Sequence, residues 1–343
     1  MSTRALYLDR SPGEVRGLVT LGGKPERLLI ERDGESVVQR LGAVSVGRVR
    51  RLERALGLAF IELAGGEDAT APIGWLVEGS AVEVEVAAEG RRGKAPVVRV
   101  LGSAEGQPRL LAAGPGLVAR LAAYAPGAAI VEGTPSRTLA DEAEEVALQR
   151  VHDLAGGGAL TIEPTQALTA IDVDMGARSG GDPRRAAKQA NLAAIAEGAR
   201  LLRLKGLGGL VVFDLIGKGH DGAAISAAAK AAFQPDGAAV SIGPISRFGL
   251  FELSLPRTVT PTAERLTGAS GRLTALSCAL RVARVLEREG RADPGGRLLV
   301  RCSADVAAAL EPYIEAMTDL LGSRFEVRVE SGLDREAYAV STA

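Results

Sequence analysis

Two runs, Leu168-Thr-Ala-Ile-Asp-Val-Asp174 and Leu210-Val-Val-Phe-Asp-Leu-Ile216, set carboxylates near the C-terminal ends of otherwise apolar segments. An ionised carboxylate buried without a partner costs several kcal/mol. Asp172, Asp174 and Asp214 are therefore expected to have a use. Between the runs, Asp182-Pro183 can cap and open a helix. Residues 186–204 keep a helical apolar pattern, and Gly206 with Gly208-Gly209 ends it. Strand, helix and strand of this length predict a βαβ unit whose strands lie parallel and adjacent. Their C-terminal ends then open at one edge, where open α/β sheets keep their sites. Alternation puts Asp172 and Asp174 on one face. With Asp214 beside them, three oxygen ligands converge on a divalent ion of the magnesium or manganese kind. An Asp at a strand end also serves as a helix cap or loop acceptor; two such strands joined by a capped helix favour metal binding or catalysis.

The elements that must position these residues follow from the pattern. Residues 4–41 alternate charged and apolar segments, as in a hairpin or short meander. From Val44, short strands recur at Val46-Gly-Arg-Val-Arg50, Leu58-Ala-Phe-Ile-Glu-Leu63, Ala81-Val-Glu-Val-Glu-Val86 and Val97-Val-Arg-Val100, separated by Gly-rich turns. Such spacing predicts a small barrel, and an OB-fold fits its length. Arg48, Arg50, Arg51, Arg54, Arg91, Arg92 and Lys94 make it locally basic. With Phe60 on its face it would hold single-stranded nucleic acid; with Phe60 in its core it is a solvated Arg-rich surface. Both readings stand on composition. Helical patterns follow at 117–124 and 138–148, where Glu142, Glu144 and Glu145 read as a wet face. A strand at Leu160-Thr-Ile-Glu163 precedes the acidic strands. His220, in Gly217-Lys-Gly-His-Asp-Gly222, is either a general base or an exposed loop residue. Arg247, at the turn Ser246 to Gly249, is placed to meet a phosphate. An Arg-rich helix at 273–288 leads to a βαβ-like block at 297–330 that reads as a separate small domain.

The bulk numbers narrow the class. The 343 residues suffice for two or three domains, and a net charge of −1 announces no global attraction to a polyanion. Arginine outnumbers lysine, 35 to six, which suits bidentate phosphate contacts but equally reflects a GC-rich genome. Cys278 and Cys302 have no CxxC spacing, so neither zinc nor a disulfide framework is expected. With no signal-like start and no apolar run of spanning length, a soluble cytoplasmic protein off the membrane is expected.

In this order the segments resemble the ribonuclease E/G family. The match runs through Glu163-Pro-Thr-Gln-Ala-Leu-Thr-Ala-Ile-Asp-Val-Asp174, Gly180-Gly-Asp182, Asn191-Leu192, Leu207-Gly-Gly-Leu-Val-Val-Phe-Asp214, and Ile245-Ser-Arg-Phe-Gly-Leu250 with Glu252. The resemblance implies a multi-subdomain α/β (α+β) chain. An RNase H-like subdomain (1–42 and 103–165) carries an inserted OB-fold RNA-binding domain (43–102). A DNase I-like catalytic subdomain follows at 166–258, then a linker helix and small α/β domain at 259–343. It further implies an Mg2+-dependent (or Mn2+-dependent) endoribonuclease for single-stranded RNA in RNA processing or decay, or an RNA-binding accessory protein with weak cleavage. Asp172 and Asp214 match the two metal-binding aspartates, and Asp174 takes the place of an Asn that helps position the phosphate. Phe60 and Lys94 match an aromatic and a lysine of the barrel, Arg247 an Arg linked to the RNA 5′ end, and Arg178 counts with the RNA-binding residues. The 5′-sensor subdomain and the cysteine zinc-link are missing, so a monomer or weak dimer is expected rather than a zinc-linked one. A second barrel aromatic is replaced near Ala69-Thr-Ala-Pro72. Asp174 adds a negative charge where phosphate should approach, as a further ligand or as a repulsion.

Overall fold

The computed structural model describes residues 3–176 and 182–342. Strands β1 (Arg4–Ser11), β2 (Glu14–Leu21) and β3 (Lys24–Arg32) form the expected meander. Next come β4 (Val44–Glu53), β5 (Leu58–Glu62), β6 (Asp68–Pro72), β7 (Ala81–Ala88) and β8 (Val97–Ser103). These five close a barrel in the order β5-β6-β8-β7-β4, with β4 returning to β5. Its core comes from alternate positions such as Val49, Ala59, Ile61, Val82, Val84 and Val98. Strand β9 (Arg109–Ala112) adds to β4. Neither β6 nor β9 was expected from sequence: in Asp68-Ala-Thr-Ala-Pro72 the alternating inward residues are only alanines, and Arg109-Leu-Leu-Ala112 has no alternation.

Helix α1 (Leu117–Ala123) packs Leu117 and Leu121 against Leu6, Leu8 and Val19. Strand β10 (Ile130–Glu132) joins β1 in parallel, and α2 (Thr134–Leu148) follows. The largest unit contains β11 (Val151–Asp153), β12 (Ala159–Pro164), β13 (Thr169–Asp174), α3 (Pro183–Lys205), β14 (Gly209–Asp214), α4 (Gly222–Phe233), β15 (Ser241–Ile245) and β16 (Leu250–Leu255). Its sheet runs β11-β12-β13-β14-β16-β15. As expected, α3 starts at a capping Asp182, whose side chain accepts from the Arg184 amide, and ends at Gly206 in the left-handed region. Its apolar side and that of α4 cover one sheet face, where Ile162, Ile171, Val211, Phe213 and Phe251 meet Ala194, Ile195, Ala199, Ile225 and Phe233. At Gly198 the helix lies so close that an added Cβ would come within 2.8 Å of the Phe213 ring.

The opposite face of this sheet is open. Asp172, Asp174 and Asp214 are exposed there, while Ile171, Val173 and Phe213 are buried. The strands were expected to be buried; they are covered on one face, and their carboxylates reach solvent on the other.

Helices α5 (Thr262–Leu266) and α6 (Ala275–Ala292) lead to β17 (Leu298–Cys302), α7 (Ala304–Leu310), α8 (Ile314–Leu321), β18 (Phe325–Val329) and β19 (Ala339–Thr342). β17 and β18 are parallel, as the βαβ pattern implied. Pro312 falls where one helix was expected, and the segment divides there into α7 and α8. The block is not separate, contrary to expectation. Ile30 of β3 lies in one core with Leu266, Cys278, Leu286, Val300 and Leu310. A buried ion cluster makes a second joint. Arg16, fully buried, pairs with Asp9 at 2.6 Å and Glu144 at 3.1 Å, and Arg284 of α6 reaches the same Glu144 at 3.1 Å. Glu144, expected on a wet face, is only 2% exposed. The Ala140, Ala143, Ala147 spacing turns it inward. Burial alone would raise its pKa, but Arg284, Arg281 and Arg16 hold it below the ordinary value. No helix among the described residues is long and apolar enough to cross a membrane.

Candidate active site

β13 and β14 run in register, with Ile171 opposite Phe213 and Asp172 opposite Asp214. In-register neighbours point to the same side, so both carboxylates leave the face away from α3. Parallel neighbours lie about 4.8 Å apart. Their side chains can therefore close to the roughly 3 Å between adjacent oxygens of an ion coordinated at about 2.1 Å. Neither carboxylate has a hydrogen bond or ion pair among the described residues. Two free, solvent-facing carboxylates fit a hard cation that keeps most of its water, as Mg2+ does, and Mn2+ accepts the same donors.

Asp174 shares that face but not the pair. Its Oδ1 accepts from the Gly176 amide at 2.8 Å, and a two-residue step along a strand is about 6.8 Å. Among the described residues no three His, Cys, Asp or Glu side chains group closely enough to hold an ion. The expected convergence of three carboxylates is thus a pair with a third charge alongside.

The loop after β14 is pinned by Asn191, which is 2% exposed. Its Nδ2 donates to the Ile216 carbonyl and its Oδ1 accepts from the Ile216 amide, both at 3.0 Å. Asp221 caps α4 through the Ala224 amide and pairs with Lys188 at 2.7 Å. His220 is half-buried rather than exposed, and its Nε2 is shielded without a hydrogen-bond partner. Across from it stands Gly249 (φ +89°), where a Cβ would be strained and would lie 3.3 Å from that nitrogen.

Gly249 belongs to the β15–β16 turn, shaped by Ser246 Oγ accepting from the Phe248 and Leu250 amides. Leu250 pairs with Asp214, so the turn lies at the same edge as the carboxylates. Arg247 is exposed, its guanidinium 4.7 Å above the Phe248 ring. Phe248, 73% exposed, was missed as a candidate; its signal was an aromatic inside a polar turn with no apolar period to bury it.

On the barrel, Phe60 points outward between fully buried Ala59 and Ile61, with the Arg51 guanidinium 4.5 Å over its ring. The core reading of Phe60 falls. Pairing runs from Phe60 to Thr70 and on to Val97, the start of the strand after Lys94. Lys94 is exposed and lines a cleft of about 550 Å3 with Glu89, Arg92, Glu264 and Arg265. Part of the basic surface is neutralised, since Arg50 pairs with Glu62 at 2.8 Å. Trp75, the single tryptophan, was also missed and is 58% exposed. Arg178 lies outside the described residues.

These parts define the class: a carboxylate-bearing mixed α/β sheet joined to an OB-like five-stranded barrel. Residues 134–258, from the start of α2 to just past β16, match the model of the Ribonuclease E/G family. Ribonuclease E of Haemophilus influenzae is 45% identical over 117 residues, 33% of this chain and 12% of that protein. Ribonuclease E of Escherichia coli is 43% identical over 116 residues, 33% of this chain and 11% of that protein. Ribonuclease G of Escherichia coli is 28% identical over 208 residues, 57% of this chain and 42% of that protein. Over this segment the chain is similar to the ribonuclease E/G family. It spans well under half the length of these curated relatives.

Proposed function

We propose that the chain is an endoribonuclease of the ribonuclease E/G type, hydrolysing phosphodiester bonds of single-stranded RNA with Mg2+ in RNA processing or decay. The observation that carries this reading is the in-register pairing of Asp172 with Asp214 on an open sheet face. We read the sheet of β1–β3 and β10 with α1 and α2 as RNase H-like, and the six-stranded sheet as the DNase I-like catalytic part.

Asp172 and Asp214 would hold the ion. When bound, it supplies an activated water and neutralises charge on the scissile phosphate. The chain's own residues bind and orient the strand. Phe60 offers a ring for a base. Lys94 and Arg247, both exposed, offer phosphate contacts on the barrel and beside the carboxylates. Such stacking and backbone contacts favour unpaired RNA with loose sequence preference. The rival reading, an RNA-binding accessory protein with weak cleavage, draws support from the Asp174 charge beside the pair.

Purified protein incubated with a short unpaired RNA and Mg2+, beside the Asp214→Asn variant, tests the proposal. Cutting that vanishes in the variant, together with lost Mn2+ binding by electron paramagnetic resonance, supports it. Undiminished cutting by the variant overturns it. RNA binding by the wild type without cutting moves the conclusion to the accessory role.

A further inference from the structure

We infer that the cavity at the C-terminal edge of β13 and β14 is a pocket for an RNA nucleotide flanking the cut, its phosphate held by Arg184, Arg185 and Lys218. This rests on the endoribonuclease reading. The cavity measures about 610 Å3 and lies between the starts of α3 and α4. It is larger than a phosphate alone needs and falls within the usual range for small-molecule sites. Ala187, Ile216 and Ile225 give it an apolar wall for a base, and the cations stand around them.

Charge supplies the second argument. Many cations elsewhere are matched, such as Arg203 by Glu26 and Asp236 and Arg265 by Glu35 and Glu89, while Arg51 and Arg247 lie over aromatic rings instead. Of the cavity's own cations, Lys188 is paired with Asp221. Arg184, Arg185 and Lys218 have no acidic partner among the described residues. Mutually repelling charges around a preformed hollow favour an anion, and Arg binds phosphate well. Backbone amides contribute little, because Asp182 and Asp221 already occupy the caps of both helices. The side chains must hold the phosphate. Asn191 fixes the wall by its paired bonds to Ile216, so the hollow exists before any ligand arrives.

Position links pocket to chemistry. Met175 follows Asp174 directly, and Ile216 lies two residues past Asp214. A strand whose scissile phosphate sits on the carboxylates reaches the cavity by continuing over the sheet edge.

The test is fluorescence anisotropy of a labelled unpaired RNA of about ten nucleotides, within the span such barrels take, in EDTA over a KCl series. The double variant Arg184→Gln/Lys218→Gln should bind about tenfold more weakly, with a salt slope lower by about 0.7 for each phosphate it no longer neutralises. Ala187→Leu, which fills the hollow and removes no charge, should bind about fivefold more weakly at an unchanged slope. Wild-type binding by both variants, or weaker binding of the double variant at an unchanged slope, overturns the pocket. Should the double variant fail to fold by circular dichroism, Lys218→Gln on its exposed loop gives the same readout. A wild type that binds with the cavity-dependent slope yet cuts nothing with Mg2+ keeps the pocket and defeats the endoribonuclease reading instead.

Discussion

Asp172 on β13 and Asp214 on β14 are register partners across the one parallel step of the six-stranded sheet among the described residues. Helix α3 makes this step, and it brings two distant carboxylates to the same edge. A slip of one residue in either strand would turn one of them into the core beneath α3. The packing that fixes the register, Ile171 and Phe213 under the helix, therefore also fixes the site.

Replacing Asp174 by Asn should speed cleavage about threefold. Asn retains an oxygen for the Gly176 amide, so the loop keeps its shape while one negative charge goes. At about 6 Å in water-like surroundings that charge is worth about 0.7 kcal/mol against an approaching phosphate. Single-turnover rates on an unpaired RNA check it; an equal or slower rate would show that Asp174 assists the reaction.

Phe60→Ala and Phe248→Ala should each weaken binding of unpaired RNA by about 1–3 kcal/mol, as loss of a stacked base does. Both rings are reached from solvent, each under an Arg guanidinium, so the thermal midpoint should stay within a degree or two. Competition with duplex RNA provides the control, since duplex binding should not depend on either ring.

Gly198→Ala should destabilise the protein. The new methyl meets the Phe213 ring at 2.8 Å, and overpacking of this kind costs about 1–3 kcal/mol. The gain in helix propensity returns about 1 kcal/mol. A urea midpoint at or above wild type would refute the close packing of α3 on β14.

Stability should fall between pH 6.5 and 4 through His152. This residue is 7% exposed. Burial, then the charges of Lys205 and Arg200, push its pKa down to about 4. The unfolded chain takes up the proton near pH 6.5 and the folded chain only near 4, so protonation favours unfolding throughout that window. About 3 kcal/mol is lost as pH falls, and none of it returns below pH 4. Asp9, Glu26 and Glu144, held below their ordinary values, lose stability in the same direction at lower pH. Comparison of His152→Gln with wild type isolates the histidine: the variant's urea midpoint should change less over this window, and parallel curves would refute the assignment.

The βαβ unit was legible because each signal agreed: Asp182-Pro183 at the start of α3, Gly206 at its end, and two apolar runs of strand length. Its open face was not, since Val211 and Phe213 look alike whether one side of a strand is covered or both. Phe60 was ambiguous for a related reason. Alternation places it opposite Ala59 and Ile61, but only barrel closure decides which side is inside. The inward turn of Glu144 depended on partners at positions 16, 281 and 284, remote in sequence and invisible to any local pattern. Phe248 and Trp75 escaped notice because an exposed aromatic has no periodicity to reveal it.

The Arg16–Glu144–Arg284 cluster has a consequence for how the polypeptide matures. Arg16 and Glu14 come from β2, Glu144 from α2 and Arg284 from α6, and Arg284 reaches both Glu14 and Glu144. During synthesis Glu14 has Arg16 and Arg32 beside it from the start, but the cluster is complete only once α6 has left the ribosome. Trimming away the region after α5 would not release a smaller working core. It would open to water the face that α6 covers and take Arg281 and Arg284 from Glu144 and Glu14, so the first sheet draws part of its stability from the far end of the chain.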